Sequence, residues 1–402
     1  MRLAIELLVP LFLSQVQILF ALSPRFFPCQ IQKSQGKSAL EGCPSGTIFV
    51  SQSTDDPDRN FGSIQEAVES LPDEGEAFIL IAEGEYNEAV NVTRSGPLTL
   101  LGQLPSSLSD SQSIPFYPSS ATGNSTLPKN LVTVWDNKFV QVQGQEDDAA
   151  TAVLSVAPNF AGALIGAGPT GAPLQPEFGD VNFKAYNIDW ENRAANFAIS
   201  QALVTDISYA NASFYGCSFA SFQDTWYTGR NASTYVVDSV IYGQTDYLFG
   251  FGTAWFQNII LANRACGGGI VAWKGTNLTD APGNRYGAYI ADSRIIRSPD
   301  ANASVTLDCF LGRPWNDLAV TVFLNTFMED IIQPAGWTPF GSDRPVIMNT
   351  TFYAEFNSTG PGGDTSDRIP LEHILTAEEA SNFTLDKVFL ENPDWIDFEY
   401  LF

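Results

Sequence analysis

The chain has 402 residues, 44% of them hydrophobic and only 16% charged, a composition typical of a folded protein with a large core rather than a disordered one. It carries 45 acidic and 20 basic residues, for a formal net charge of −25. This balance argues against nucleic acid and anionic membrane surfaces as partners, because binding them requires clustered Lys and Arg.

The N-terminal stretch MRLAIELLVPLFLSQVQILFALS combines one Arg, an apolar run and the small residues Ala21 and Ser23 before a possible cleavage site. We interpret residues 1–23 as a secretory signal peptide, with an N-terminal membrane anchor as the alternative. Residues 24–44 then form an N-terminal segment, and residues 45–402 form the folded domain. The sequence predicts a secreted, extracellular protein that has left the membrane after cleavage.

N-glycosylation sequons, N-x-S/T without an intervening Pro, support export. Nine of them occur, at Asn91, Asn124, Asn211, Asn231, Asn277, Asn302, Asn349, Asn357 and Asn382. One sequon is weak evidence, but nine behind a signal-like segment favour a glycoprotein.

The chain has five cysteines, too few for a disulfide-stabilised scaffold, and the odd number leaves at least one unpaired or intermolecular. We expect Cys29 to pair with Cys43, and Cys266 with Cys309. His373 is the only histidine, and there is no C-x-x-C motif, so neither a metal nor a cofactor is expected.

Short strand-like runs recur from about residue 180 onward without helical periodicity between them. Their equivalent points are Asn187, Gly216, Asp238, Asn258, Asp292, Asn325 and Asn349. The number of residues between these points varies, as expected for coils with loops of variable length. The runs could build either a sandwich or a parallel β-helix. We favour the β-helix because no Asn-Gly hairpin turn separates the runs. The segment 61–72 has the apolar spacing of a short helix that would cap the open end.

If each coil is one rung, residues at similar offsets become neighbours about 4.8 Å apart per rung. Gln201, Asp224 and Asp246 fall at similar places on three successive rungs, and Arg313 falls two rungs beyond Asp246. Two acids, two amides (with Gln223) and one Arg therefore share one face. Such a set could be a structural polar network or an active site, and the nearby aromatic residues favour a carbohydrate ligand.

These residues lie in motifs that carry a family resemblance. QDTWY (223–227), TDYLFG (245–250) and LGRPW (311–315) resemble, in order and spacing, the three signatures of pectin methylesterases, or pectinesterases. GEYNEAV (84–90), QAL (201–203) and GPGGDTSDR (360–368) extend the likeness, and VAWKGTN (271–277) is similar to the fungal branch. The resemblance implies an all-β fold, a right-handed parallel β-helix, and a monomeric enzyme that acts on methyl-esterified pectin.

By the same resemblance, Asp246 is the nucleophile, Asp224 the acid and then the base, Gln223 and Gln201 the oxyanion stabilisers, and Arg313 the partner that keeps Asp246 ionised. The residues expected to contact the substrate are Trp315, Phe249, Trp226, Tyr247 and Thr245. Leu318 and Val320 stand where the family often has an aromatic residue and an Arg, which bears on the substrate subsites.

Two other functions stay open from the sequence. A β-helix glycosidase would need a carboxylate pair across a glycosidic bond, but the Gly-His-Gly and Arg-x-Lys signatures of that class are missing. A non-catalytic β-helix that binds cell-wall polysaccharide is the second alternative. The intact set of Asp224, Asp246 and Arg313 argues against it.

Overall fold

A computed structural model of the chain describes residues 22–106, 130–142, 146–166, 171–277, 283–301, 304–390 and 392–400. Most of the predicted signal peptide, together with the sequons at Asn124 and Asn302, lies outside these residues. Within them, no helix has both the length and the apolar character needed to cross a membrane.

Parallel strands form three sheets in the described part of the chain. Sheet A contains, in spatial order, β1 (Ile48–Val50), β2 (Ala77–Ile81), β5 (Leu98–Gly102), β8 (Phe183–Tyr186), β11 (Asn211–Tyr215), β14 (Ser233–Val237), β17 (Thr253–Gln257), β20 (Gly287–Ala291), β23 (Val320–Leu324), β25 (Phe352–Phe356) and β26 (His373–Ile374). Sheet B contains β3 (Gly84–Asn87), β6 (Val132–Asp136), β9 (Ile188–Asn192), β12 (Ser218–Ala220), β15 (Val240–Thr245), β18 (Ile260–Gly267), β21 (Arg294–Arg297) and β24 (Phe327–Met328). Sheet C contains β4 (Val90–Val92), β7 (Leu154–Val156), β10 (Thr205–Ile207), β13 (Trp226–Thr228), β16 (Leu248–Gly250), β19 (Val271–Trp273) and β22 (Gly312–Pro314).

The chain visits the sheets in the order A, B, C and then returns to A one step further along, so that three strands make one coil. The fold is therefore a right-handed parallel β-helix, as the sequence predicts. Every pairing between strands in the described sheets is parallel, for example β13 with β16, which excludes the antiparallel sandwich.

A tight corner between sheets A and B repeats on successive coils. It requires a left-handed backbone, which Gly, Asn and Asp adopt at least cost. The residues at this corner are Asn187, Gly216, Asp238, Asn258, Asp292, Asn325 and Asn357, with φ between 49° and 61°. Asn349 was the wrong choice for the last coil; Asn357 occupies the corner, and its Nδ2–H donates to Asn325 Oδ1 at 3.0 Å.

The interior of the coils is filled by apolar side chains from all three sheets, including the fully buried Trp190, Trp226 and Trp273. Helix α2 (Ile64–Glu69) closes the N-terminal end, and its Ile64, Ala67 and Val68 join this core. Ser63 caps the helix by accepting a hydrogen bond from the backbone N–H of Glu66. The predicted capping helix is thereby confirmed.

Among the residues that the structure describes, four further α-helices lie outside the coils: α1 (Phe27–Gln30), α3 (Phe160–Ala163), α4 (Ala377–Ala380) and α5 (Leu385–Phe389). The C-terminal segment that carries α4 and α5 packs on the outer face of sheet A, where Trp395 and Tyr400 meet Tyr186 and Tyr215. Disulfides join Cys29 to Cys43 and Cys266 to Cys309, the pairs expected from the sequence, and Cys217 is a buried free thiol.

Candidate active site

The corner between sheets B and C holds the two acids singled out in the sequence. Asp224 precedes Trp226 by two residues, and Asp246 precedes Leu248 by two; Trp226 and Leu248 are paired, so the acids occupy the same position on neighbouring coils. Both have a left-handed backbone, with φ of 59° and 48°. The backbone N–H of Asp224 donates to the carbonyl of Thr245, the residue before Asp246, at 3.1 Å. Adjacent coils therefore present two carboxyl groups side by side.

Arg313 engages Asp246 through a forked contact. Its Nε donates to Asp246 Oδ1 at 2.9 Å and its Nη2 to Oδ2 at 2.6 Å. The backbone N–H of Gly269 also donates to Oδ1, at 3.1 Å. Burial opposes the charge of Arg313, but the contacts with Asp246 outweigh it and raise the pKa of the guanidinium. Charge-assisted donors thus surround Asp246 and stabilise its carboxylate form.

Asp224 lies in a different environment. Burial raises its pKa well above the ordinary range, and the charges of Asp148 and then Asp246 raise it further, while Arg313 opposes them only in part. Only 7% of Asp224 is exposed. The two carboxyl groups therefore lie in different environments: Asp246 is paired with a guanidinium, whereas burial raises the pKa of Asp224.

The two amides lie on the same corner region. Gln223 precedes Asp224 directly, and its carbonyl accepts from the backbone N–H of Ala202, which places Gln201 one coil away. Both glutamines are half-buried. Ser200 Oγ donates to Gln201 Oε1 at 2.7 Å, which orients the amide. Thr245, also half-buried, directly precedes Asp246 on its coil.

An aromatic wall stands beside the acids on the outer face of sheet C. Tyr227 and Phe249 have ring centroids 4.8 Å apart, and Phe249 and Trp315 have theirs 5.6 Å apart. Lys274 Nζ lies 3.8 Å from the centroid of the Trp315 ring. Trp315 is half-buried, whereas Phe249 is only 3% exposed.

Trp226 and Tyr247, by contrast, do not face this wall. Both are fully buried in the core inside the coils, so the expectation that they contact the substrate is wrong. Trp226 and Tyr227 are consecutive residues of β13, and side chains alternate between the two faces of a strand. Trp226 therefore points inward, and Tyr227 is the residue that points out.

Sequence reasoning missed several residues of this site. Gly268, with φ of +63°, lies against Arg313, and an added Cβ would come within 2.8 Å of the Arg313 Cζ. The run of three glycines at 267–269 was the available signal for this close approach. The Phe340 ring packs against the Arg313 guanidinium, with 4.5 Å between the ring centroid and Cζ. Nothing in the local sequence predicts this contact.

The arrangement suits attack of a carboxylate on an ester carbonyl, with a neighbouring acid to protonate the leaving group. Among the described residues, no group of three or more His, Cys, Asp or Glu side chains could hold a metal ion. A serine triad would need a histidine, and His373 lies on β26, in sheet A.

A model of the pectinesterase family matches residues 178–392 of the chain, which is more than half of it and includes all of the site residues discussed above. The chain belongs to the pectinesterase family. It is 29% identical to a probable pectinesterase A of Aspergillus niger, over 92% of this chain and 93% of that protein. It is 28% identical to pectinesterase A of Emericella nidulans, over 92% of this chain and 95% of that protein.

Solved structures agree. The pectin methylesterase of Aspergillus niger, in deglycosylated form, superposes with a TM-score of 0.66 at 27% identity, over 89% of this chain and 98% of that one. The carrot enzyme, at 22% identity and a TM-score of 0.64, supports the fold. The resemblance inferred from the motifs is confirmed. Pectinesterases are carboxylic ester hydrolases, so the glycosidase and the non-catalytic alternatives are set aside.

The departures from the usual pectinesterase motif lie at one edge of the site. Leu318 and Val320, which follow Trp315, line a cavity of about 360 Å³ together with Phe352 and Phe383. Asn316 joins this edge to sheet C, because its Oδ1 accepts from the backbone N–H of Gly275 and its Nδ2 donates to the Gly275 carbonyl. The substitutions leave the acids and Arg313 in place.

Proposed function

We propose that this pectinesterase hydrolyses the C6 methyl esters of pectin to pectate and methanol, with Asp246 as the nucleophile. The single observation that carries the assignment is the forked Arg313–Asp246 contact beside a buried Asp224, whose pKa is raised by burial. A carboxylate stabilised as an anion attacks, and an uncharged carboxyl group one coil away can donate.

The first half-reaction forms an acyl-enzyme. Asp246 attacks the ester carbonyl carbon, and the carbonyl oxygen becomes an oxyanion that the side-chain amides of Gln201 and Gln223 stabilise. Each such donor contributes about 2.7–4 kcal/mol to transition-state stabilisation. Collapse of the tetrahedral intermediate breaks the bond to the methoxy oxygen, and Asp224 gives its proton to that oxygen, releasing methanol.

The second half-reaction regenerates the enzyme. Asp224, now a carboxylate, takes a proton from a water molecule as that water attacks the acyl carbon. The new tetrahedral intermediate collapses with cleavage of the bond to Asp246. Asp246 leaves as the carboxylate that Arg313 and Gly269 stabilise, Asp224 is protonated again, and the uronic acid product departs.

The aromatic wall provides the sugar contacts in this proposal. Trp315 is half-buried and packs against Phe249, and flat rings such as that of Trp315 stack on sugar faces. Thr245 stands next to the nucleophile and contacts the esterified unit.

The setting we propose is extracellular, with a signal peptide at residues 1–23, a secreted monomer and N-linked glycans. The asparagines at 91, 277, 349, 357 and 382 are exposed and those at 211 and 231 are half-buried, so the exposed sequons are the better acceptors. The two disulfides fit an oxidising compartment.

Asp246→Asn tests the mechanism. An amide cannot form the acyl intermediate, so kcat for methanol release from esterified pectin should fall by several orders of magnitude while the fold and pectin binding remain. Asp292→Asn is the matched control, since Asp292 has the same left-handed backbone, with φ of 51°, on a corner away from the site. Activity of Asp246→Asn within tenfold of the parent enzyme would refute the assignment.

A further inference from the structure

A short 3₁₀ helix, Asp148–Thr151, lies over the site and is not part of the family motifs. Ala149 and Ala152 pack with Tyr227 and Phe249 of the aromatic wall. The helix is fixed from below, because Thr151 Oγ1 accepts from the backbone N–H of Leu203 at 3.0 Å.

Leu203, which binds Thr151 at the end of this helix, is a neighbour of Asp224 on the adjacent coil. Leu203 and Asp224 both precede paired residues, Thr205 and Trp226, by two positions, so they are neighbours on adjacent coils. Leu203 is also two residues from Gln201. Thr151 Oγ1 also donates to the backbone carbonyl of Asp148 at 2.8 Å, so the start of the helix lies close to the place where Leu203 adjoins Asp224.

The two acids at the start of the helix have different tasks. Asp147 accepts three backbone N–H groups: those of Ala149 and Ile165 on Oδ1, at 3.1 and 3.0 Å, and that of Gly166 on Oδ2, at 2.8 Å. It holds the loop together. Asp148 is half-buried. After burial, its charge is the main cause that raises the pKa of Asp224, ahead of the charge of Asp246.

Burial, together with the neighbouring charged groups, places the ionisation of Asp148 near neutrality. Burial, and then the charge of Asp147, raise the pKa of Asp148 to about 7, and Lys274 opposes the shift. Lys274 is itself buried under Trp315; burial, and then Arg230, lower its pKa to about 7, while Asp147 and Asp148 oppose the shift. Two other acids interact electrostatically with these groups. Asp206 interacts with Asp147 and Asp148, and Asp246 interacts with Asp224.

We propose that Asp148 is a positioning residue for ester hydrolysis, whose carboxylate repels negative charge on Asp224 and so keeps the transferable proton there. The inference rests on the proposed function, in which Asp224 is the general acid. As the pH rises through 7, Asp148 becomes charged, and the repulsion grows in the range where the acid would otherwise lose its proton. Asp148 thereby extends the alkaline limit of the reaction without contacting the ester.

The test is the pH profile of methanol release from pectin of fixed esterification by Asp148→Asn. Because a nearby like charge shifts a carboxyl pKa by about one unit or more, the alkaline limb of kcat/KM should move to lower pH by about one unit. The KM at pH 5 should stay within twofold of the parent value. Asp148→Glu, which keeps the charge, should restore the limb, and Asp148→Ser repeats the test should the Asn variant fail to fold.

Asp180→Asn, which removes a buried acid outside the site, is the control and should leave the limb in place. An unmoved limb in Asp148→Asn would overturn the inference, as would an equal loss of kcat at every pH. Asp246→Asn measured in parallel separates the two claims. If that variant is inactive and the limb of Asp148→Asn is unmoved, only the role of Asp148 fails; if that variant is active, the proposed mechanism fails.

Discussion

Arg313 and Asp246 are 67 residues apart in sequence, yet the guanidinium meets both carboxylate oxygens, with Nη2 only 2.6 Å from Oδ2. Both side chains are largely buried, 20% exposed for Arg313 and 11% for Asp246. Removing one partner of such a pair leaves the other buried and unpaired. The contact therefore bears on stability as well as on catalysis.

Arg313→Ala should lower the free energy of unfolding by about 3–5 kcal/mol and abolish most activity. Arg313→Lys keeps the charge but not the planar fork, so it should retain more stability and still lose most activity. Thermal melts and kcat measurements on both variants check this. Arg25→Ala, in an exposed pair with Glu76, is the control and should cost about 1 kcal/mol or less. Equal melting temperatures for Arg313→Ala and the parent would contradict the prediction.

A second prediction concerns pH and stability. Burial raises the pKa of Asp180 to about 8 and that of Asp238 to about 7. The pKa of an Asp in the unfolded chain is about 3.9. Between about pH 4 and 7, the folded chain therefore binds more protons at these two residues than the unfolded chain does. The free energy of unfolding should therefore fall as the pH rises through this window.

Melting temperatures measured from pH 4 to 7 should accordingly decrease for the parent protein. Asp180→Asn should flatten the slope, because the amide needs no proton to stay neutral in the fold. Asp394→Asn, a change at an exposed acid, should not alter it. A slope that is the same in all three proteins would show that Asp180 does not take up a proton on folding.

A third prediction concerns the C-terminal end of the β-helix. Arg368 Nε donates to Glu355 Oε1 at 2.7 Å and lies 3.7 Å from Glu372 Oε2, with all three side chains at most 3% exposed. Burial, and then the charge of Glu355, raise the pKa of Glu372 to about 9, so we expect Glu372 to be protonated at neutral pH.

Glu372→Gln mimics the protonated side chain and should leave the melting temperature at pH 6 nearly unchanged. Glu355→Gln removes the charged partner of Arg368 and should destabilise the fold by about 3–5 kcal/mol. The two variants differ by the same single substitution at neighbouring positions, which makes each the control for the other. Equal losses in both would mean that Glu372 is charged in the fold.

A fourth prediction concerns the aromatic wall. Trp315 is half-buried above Lys274, and its exposed face is available to a sugar ring. Trp315→Ala should raise KM for pectin about tenfold, the equivalent of about 1.4 kcal/mol, with a smaller change in kcat. Phe398→Ala, a change at an exposed ring outside the site, should leave KM as it is. An unchanged KM in Trp315→Ala would remove this ring from the substrate contacts.

The coil architecture was predictable because the corners between sheets demand particular residues, and the coil spacing also predicted that Asp224, Asp246 and Arg313 lie close together. A left-handed corner selects Gly, Asn or Asp, so six of the seven chosen repeat points are correct. The last failed because Asn349 and Asn357 both fit the pattern, and only pairing with the previous coil distinguishes them. The inward orientation of Trp226 could also have been predicted, because successive side chains of a strand point to opposite faces and Tyr227 points outward.

The loops that leave the coils were not predictable in this way. The helix Asp148–Thr151 comes from a turn whose length the repeat does not constrain, and it reaches the site by folding across the face of sheet C. Phe340 likewise approaches Arg313 on a segment outside the coil repeat. Local sequence carries no signal for where such segments end in space.

The left-handed backbone at Asp224 and Asp246 has a consequence for how such a site can arise. The corners that join the sheets tolerate Asn and Asp almost interchangeably, as Asp238 and Asn258 on successive coils illustrate. A β-helix with an amide at the corner between sheets B and C is thus one side-chain atom away from presenting a carboxylate there, with no backbone rearrangement. Asn and Asp can therefore exchange at such a corner without a change of backbone conformation, but a buried carboxylate there also needs a charged partner, as Asp246 has in Arg313.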